Sequence, residues 1–505
     1  METISRRSIV NGGGATAGLL VAGRQGRRST VAAAVARVNL PGGTTMRPQA
    51  FGSTLAIPPL LSPSVEDGTR TFDLTLQAGR MEFEPGNLVD TLGINGPYLG
   101  PTLRAARGDA VAFTVANRIG EPTTLHWHGM HLPAMMDGGP HQEIADGESW
   151  ELGWTINQEA ATLWYHPHLM GRTREQVTRG AVGLFILDDD EPAQTALPHD
   201  YGVDDIPLIL QGYGVDDGRL GPGRQGGVLV NGALAPVLVT DQPRLRLWLL
   251  NATDDRIFSI GFVGDVPFSQ VASDGGLLPA PVPLTRLQLG VAERAEIVVD
   301  LADAPDGTEL VLQRFGGGGN GRGDDDDGDA GRGQGGALMT IQGPGQVTAR
   351  AAELPAELGA TVRFNPNDVA VARPMVLGGG GRGGRGGRTI NGLSMTSAAD
   401  MADMANTLSV RLGDLERWDV VNRSDDTHVF HVHDVQFQIL ERDGIAPGPT
   451  EVGRKDTVVV REGETVSLLM RFEDYADPEM PYMFHCHILQ HEDQGMMGQF
   501  VVVPA

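Results

Sequence analysis

Residues Phe484–Met497 read FHCHILQHEDQGMM and contain Cys486, the only cysteine in a chain of 505 residues. A lone thiol has no internal disulfide partner, so its place between His485 and His487, ahead of His491 and Met496, needs another chemical reason. On a β-strand, residues two apart share a face and immediate neighbours take opposite faces. His485 and His487 then point one way and Cys486 the other, toward a second site. His491, Met496 and the upstream His428 of HVFHVH fall within reach of its sulfur.

The H-x-H pattern recurs through the chain. Of the 13 histidines, eight form the pairs His126/His128, His166/His168, His431/His433 and His485/His487. Chance would give roughly a third of one such pair, so four of them carry information. Each pair on a strand presents two imidazoles side by side, and four pairs can enclose one compact metal cluster. His131, His141 and His199 stand outside the pattern and read as ordinary surface or core residues. Around Cys486, two imidazoles, one thiolate and a weak methionine make the donor set of a blue-copper electron-transfer centre. Zinc also takes cysteine and histidine, but it explains neither the methionine nor the eight paired histidines beside the thiol. An electron received at a Cys486 copper has a covalent path to His485 and His487 and so to a three-copper cluster. Four coppers store the four electrons that reduce O2 to two waters, with the protein supplying position and tuning.

Outside these motifs the chain reads as β-sandwiches. Short alternating or β-branched runs bounded by Gly, Pro and Asp recur, among them TFDLTLQAG from Thr71, AVAFTVANR from Ala110, PRLRLWLLNAT from Pro243 and DTVVVREGETVSLLMRF from Asp456. A loose repeat runs through them. Arg107-Gly108-Asp109 followed by Val115-Ala116-Asn117-Arg118 matches Gly413-Asp414 followed by Val420-Val421-Asn422-Arg423, with a weaker echo from Arg244 to Asn251. The pattern predicts an all-β chain of three tandem antiparallel β-sandwiches, at residues 60–190, 200–345 and 360–505. Two Gly-rich segments, one spanning 316–336 with the run Asp324–Asp327 and one from Gly378, are too polar to bury a core and read as surface loops.

The 39 Lys plus Arg against 64 Asp plus Glu give a net charge of -25, which argues against nucleic acid as a partner. No run of eighteen apolar residues suits a membrane-spanning helix. Arg6 and Arg7 precede a weakly apolar stretch and an Ala34-Val35-Ala36 cleavage pattern. Residues 1–36 therefore read as a twin-arginine export signal, which predicts a periplasmic, cell-envelope or extracellular protein.

With LHWHG at Leu125, WYHPH at Trp164, HVFHVH at His428 and FHCHILQHEDQGMM at Phe484, the sequence from about Thr71 onward resembles the three-domain multicopper oxidases. Within them it is most similar to the bacterial cuprous oxidases of copper resistance. The resemblance implies that the three tandem sandwiches are cupredoxin-like with Greek-key topology, and it implies four copper ions, with His428, Cys486, His491 and Met496 at a type 1 site and His126 and His431 at a type 2 site. His128, His166, His168, His433, His485 and His487 would then hold a type 3 pair. It also implies proton delivery to reduced oxygen by Asp137 and Glu492. Val429 replaces a usual proline in the third motif and Asp434 a common glycine, and neither change removes a ligand. The long methionine-rich insertion of some cuprous oxidases is absent. Met395, Met401 and Met404, with Asp400 and Asp403, form a candidate landing site for substrate Cu(I), and Asp425-Asp426 is a further acidic run before His428. The expected activity is oxidation of Cu(I) or of phenolic and aromatic-amine donors by O2, with bilirubin oxidation, general laccase activity and a non-enzymatic copper-binding scaffold as the alternatives. A two-domain copper nitrite reductase is excluded by length and by the number of H-x-H pairs.

Overall fold

The computed structural model describes residues 53–221, 227–301, 309–315, 335–343, 351–359, 361–379 and 387–505. The export signal read at 1–36, the Asp324–Asp327 run and most of both Gly-rich segments lie outside them.

Among the described residues, strands dominate and assemble into six sheets, two for each of three successive parts of the chain, with the short strands Val215–Asp216 and Arg219–Leu220 of the second part joining a sheet of the first. Each pair of sheets closes over its own apolar core. The first core is built around Phe72, Phe113, Trp127 and Phe185, the second around Leu208, Leu247, Ile260 and Ile297, and the third around Trp418, Phe430, Leu468 and Phe500. This is the tandem arrangement of sandwiches that the strand pattern predicts, cupredoxin-like as the resemblance implies.

The loose sequence repeat has a physical cause. In each part an early strand pairs in parallel with a later strand that carries an asparagine at or next to its end, at Leu76↔Asn117, Leu210↔Asn251 and Leu377↔Asn422. All three asparagines are buried, and each side-chain amide donates to two or three backbone carbonyls from neighbouring segments. Asn117 Nδ2 bonds Glu121 O and Ile144 O at 2.8 Å, and Asn251 Nδ2 bonds Arg256 O at 2.7 Å and Leu289 O at 3.1 Å. Asn422 Nδ2 bonds Asp426 O at 2.8 Å, Arg461 O at 2.9 Å and Val460 O at 3.1 Å. A buried carbonyl left without a donor is costly, so the same stitch recurs in every sandwich. The echo ending at Asn251 is thus a full third copy.

Four strands carry five of the paired histidines, and His168, His433 and His487 follow just beyond strand ends. His126–His128 pairs antiparallel with Ala161–His166, at the edge of a four-stranded sheet in the first sandwich. His428–Val432 pairs antiparallel with Asp477–Cys486 in the third, in the register Phe430↔Cys486 and His431↔His485. Trp127, between the two histidines of its strand, points into the first core, with ring centroids 4.3 Å from Phe113 and 5.6 Å from Trp154. Trp127→Ala is expected to cost about 3–5 kcal/mol of stability, measured as a lowered denaturant midpoint, and to loosen the His126 and His128 rings that its burial aligns.

Candidate metal centre

Register places every paired histidine. Alternation along His428–Val432 sends His428 to the Cys486 face and His431, with His433 beyond it, to the opposite one. Ring centroids within the four H-x-H pairs lie 5.8 Å apart for His126/His128, 5.9 Å for His166/His168, 5.0 Å for His431/His433 and 5.1 Å for His485/His487. The first and third sandwiches bring all eight rings into one buried cluster. His126 stacks on His433 and His128 on His431, each pair with centroids 3.8 Å apart. His485 Nε2 lies 3.1 Å from His168 Nε2 and 3.3 Å from His433 Nε2.

Outer contacts fix how the rings turn. His126 Nδ1 bonds Asp137 O, His166 Nδ1 bonds Pro167 O and His431 Nδ1 bonds Asp456 O, each at 2.8 Å. His128 Nε2 faces Asp456 Oδ1 at 3.1 Å. In each ring the other nitrogen then turns inward: His126 Nε2, His128 Nδ1, His166 Nε2, His431 Nε2 and both nitrogens of His487 are buried with no hydrogen-bond partner among the described residues. A buried polar atom is normally satisfied, so this convergence fits metal ions. Burial also pushes the pKa values of these imidazoles down, His166 to about 3 and His168 to about 4, which keeps them neutral and able to bind a cation.

On the other face of the same strand, His428 Nδ1 and His491 Nδ1 each lie 3.4 Å from Cys486 Sγ and 3.2 Å from one another. Donors about 2.0–2.3 Å from a shared ion would stand roughly 3.5 Å apart, so the triangle is only slightly contracted. Ser424 Oγ, 2.7 Å from His428 Nε2, turns Nδ1 toward the sulfur. Met496 is buried in the same core, its carbonyl accepting from Cys486 N–H at 3.0 Å. Asp426 is engaged by Arg388 at 2.7 Å, while Asp425 is exposed.

Two buried acids flank the cluster with opposite electrostatics. Burial, with Asp434 nearby, raises Asp137 well above the usual carboxylate range, and its Oδ2 lies 2.8 Å from His433 Nδ1. Burial also opposes ionisation of Glu492, but His168 and His485, 3.4 and 3.1 Å away, prevail and hold it at about 2.

The methionine candidates divide. Met395 and Met401 pack with Met483, Met497 and Met170 in one thioether cluster. Met404 is exposed outside it. Asp400 accepts from Thr396 N–H and Ser397 N–H at the start of a short helix, and Asp403 accepts from Ala405 N–H, so both carboxylates serve as caps. A cleft of about 80 Å³ beside the cluster is lined by Met395, Asp400, Asp403, Phe484, Met497 and Gln499.

Family models described as multicopper oxidase match residues 75–192 and 383–505. The multicopper oxidase mco of Staphylococcus aureus is 32% identical over 89% of this chain and 92% of its own length. The chain belongs to the multicopper oxidases. Membership implies copper as cofactor, with O2 and an electron donor as reactants. A laccase-like multicopper oxidase CueO from Ochrobactrum sp., with oxidase activity towards lignin model compounds and lignosulfonate, is 32% identical and matches with a TM-score of 0.76, covering 89% of this chain and 100% of that one. The cell division protein FtsP of Escherichia coli is also similar, 31% identical over 89% of this chain and 93% of FtsP. Among the described residues, no helix of this oxidase is long and apolar enough to cross a membrane.

The sequence reading missed Asp456, Thr457 and Ser424, which carry no motif and appear only as strand or turn residues. It also took His131 as ordinary. His131 in fact bridges Asp434 Oδ1 at 2.8 Å and Asp474 Oδ2 at 3.2 Å, and Asp434 adopts the glycine-like φ of 66° to reach it. Burial opposes its charge, yet the two carboxylates raise it from 6.5 to about 9. A folded-state pKa above the unfolded one stabilises fully below the unfolded value and fades as pH rises through the folded one. His131→Gln is therefore expected to shrink the loss of stability between pH below 6.5 and pH above 9, compared as unfolding midpoints with the parent protein; an equal loss in both would contradict the assignment.

Proposed function

We propose that this oxidase carries four copper ions and couples four one-electron oxidations of a donor to the reduction of O2 to two waters. The main support is the convergence of unpartnered, buried imidazole nitrogens beside a separate thiol-centred triangle. In this reading His428, Cys486, His491 and Met496 hold the type 1 copper, and His126 and His431 the type 2 copper. His128, His166 and His487 hold one type 3 copper and His168, His433 and His485 the other, a division that the grouping of His168, His433 and His485 donors favours. Copper so held would supply the one-electron steps and the chemistry with O2.

The chain's own contribution is position. Peptide bonds join Cys486 to His485 and His487, so the two donor sets are held at fixed separation without a flexible link. Asp137 and Glu492, on opposite sides of the cluster, are assigned to proton handling at the oxygen-reducing site. Glu492 faces His485 Nδ1 at 3.1 Å and His168 Nδ1 at 3.4 Å, and Asp137 is the acid whose surroundings favour keeping a proton.

The donor is Cu(I), a phenol or an aromatic amine. Cu(I) is favoured by the thioether cluster of Met395 and Met401 with Met170, Met483 and Met497, since soft sulfur donors select Cu(I). Asp400 and Asp403 line the cleft beside that site, and exposed Met404 stands outside it. Bilirubin and general laccase substrates are the alternatives inside the class. The likeness to FtsP favours a second reading, a sandwich scaffold without redox activity, which the complete donor set argues against. The twin-arginine reading of residues 1–36 completes the proposal: export, with work in the periplasm, the cell envelope or outside the cell.

Copper-loaded protein should consume O2 with Cu(I) or a simple phenol; no uptake with any donor class would leave only the scaffold reading. Cys486→Ser should abolish blue absorbance and O2 uptake while leaving the fold intact by circular dichroism, and a retained blue colour would overturn the type 1 assignment. Replacing Met395 and Met401 together by Leu should lower cuprous oxidation several-fold and spare phenol turnover. An unchanged ratio of the two rates would remove the methionine site.

A further inference from the structure

The middle sandwich supplies none of the histidine motifs, yet one of its side chains reaches the cluster. Arg294, the first residue of the strand Arg294–Asp300, is buried and donates through Nη1 to Asp456 Oδ1 at 2.7 Å and through Nη2 to Asp456 Oδ2 at 2.5 Å. Its Nε–H donates to Thr162 O at 2.8 Å in the first sandwich. One guanidinium therefore ties all three sandwiches together behind the histidines. Beside it Lys455, the only lysine in the chain, pairs with Asp274 at 2.8 Å and Glu293 at 3.2 Å.

Asp456 in turn touches two histidines of the cluster in two ways. Its Oδ1 faces His128 Nε2 at 3.1 Å, and its main-chain carbonyl accepts from His431 Nδ1 at 2.8 Å. The two rings lie stacked, 11° from parallel. Thr457 Oγ1 donates to Asp456 Oδ1 at 2.8 Å and lies 3.2 Å from His128 Nε2. With both carboxylate oxygens engaged by Arg294, Asp456 is an acceptor for His128 rather than a free ligand for a metal. An imidazole that donates from one nitrogen offers the other as a lone pair, and His128 Nδ1 is the atom left buried and unpartnered. The glycine of LHWHG makes room for this arrangement. Gly129 has φ of 85°, and a Cβ there would lie 2.5 Å from Asp456 Oδ2 and 2.8 Å from Arg294 Nη2.

We propose that Asp456, clamped by Arg294 from the middle sandwich, is a positioning residue of the oxygen-reducing cluster: it sets which nitrogens of His128 and His431 face inward. The inference rests on the reading of the histidine cluster as a copper site. It gives the middle sandwich a function that its lack of ligands conceals.

The test uses the copper-loaded full chain and Asp456→Asn, whose amide cannot accept from Arg294 and His128 as the carboxylate does. Blue absorbance should stay at the parent level, because the Cys486 donors lie on the other face of the strand. The electron paramagnetic resonance signal of the non-blue copper should shift, and that copper should be stripped by chelator about 10–100-fold more readily. Blue colour intact with an unaltered non-blue signal and chelator resistance overturns the proposal. Parent protein with blue but no non-blue copper would instead overturn the cluster reading on which it rests, and the proposal with it. If Asp456→Asn loses its blue colour and so fails to fold, Arg294→Lys decides: it keeps the charge with fewer contacts and must show the same selective loss at smaller amplitude. A parent-like non-blue signal in Arg294→Lys overturns the assignment.

Discussion

A β-strand sends neighbouring side chains to opposite faces, and at His485, Cys486 and His487 that fact alone separates a thiol from two imidazoles by one peptide link on either side. The partner strand repeats the division, because His431 stands opposite His485 and Phe430 opposite Cys486. Slipping this register by one residue would put sulfur among the imidazoles and imidazoles in the third core. Burial of Phe430, Phe484 and Trp418 on the core side makes such a slip costly. Hydrophobic packing thus keeps the two donor sets apart.

Collecting eight imidazoles in a dry interior has its own cost. Each inward nitrogen without a partner forfeits about 1–3 kcal/mol relative to one that is satisfied, so the cluster is a local weak point in a strongly packed molecule. The surroundings compensate by fixing every outer nitrogen they can reach, with carbonyls at His126, His166 and His431 and with carboxylates at His128 and His433. Rings held this way cannot turn to satisfy themselves elsewhere. The same rigidity that destabilises the metal-free cluster leaves little reorganisation for metal binding, and any cation that settles there adds its binding energy to the stability of the fold.

What could be read from the sequence follows the range of the interactions. The H-x-H pairs, the opposed cysteine and the strand runs are local, since a period of two shows within a few residues. The asparagine stitches were half visible: the repeat at Asn117 and Asn422 stood out, and Asn251 lay in an echo too weak to interpret without its carbonyl partners. Asp456 was invisible because its meaning depends on His128, Arg294 and Thr162, which are distant in sequence and come from other sandwiches. Asp434 looked like a neutral departure from glycine. Only the fold shows that it keeps the glycine conformation and uses its carboxylate on His131. Among the methionines, spacing suggested Met395, Met401 and Met404, whereas packing selected the first two and added Met170, Met483 and Met497 from other segments. Asp400 and Asp403 looked like soft-metal companions because acidic residues near methionines fit that chemistry. Their actual partners are backbone N–H groups, a role that any helix start offers.

The three asparagine stitches also show which part of the design came as scaffold and which as chemistry. All three sandwiches hold their strands by the same Leu–Asn register and the same buried amide, with or without histidines. The middle copy forms its own core of leucines, isoleucines and phenylalanines with none of the paired histidines in it. A cupredoxin-like sandwich of this type therefore does not need a metal to close. The donors of the outer two copies sit in sandwiches that the same stitch holds, and the middle copy, without paired histidines, places Arg294 against a carboxylate of the third sandwich. The imidazole cluster thus lies between the sandwiches, while the thiol-centred triangle is set into the core of the third one.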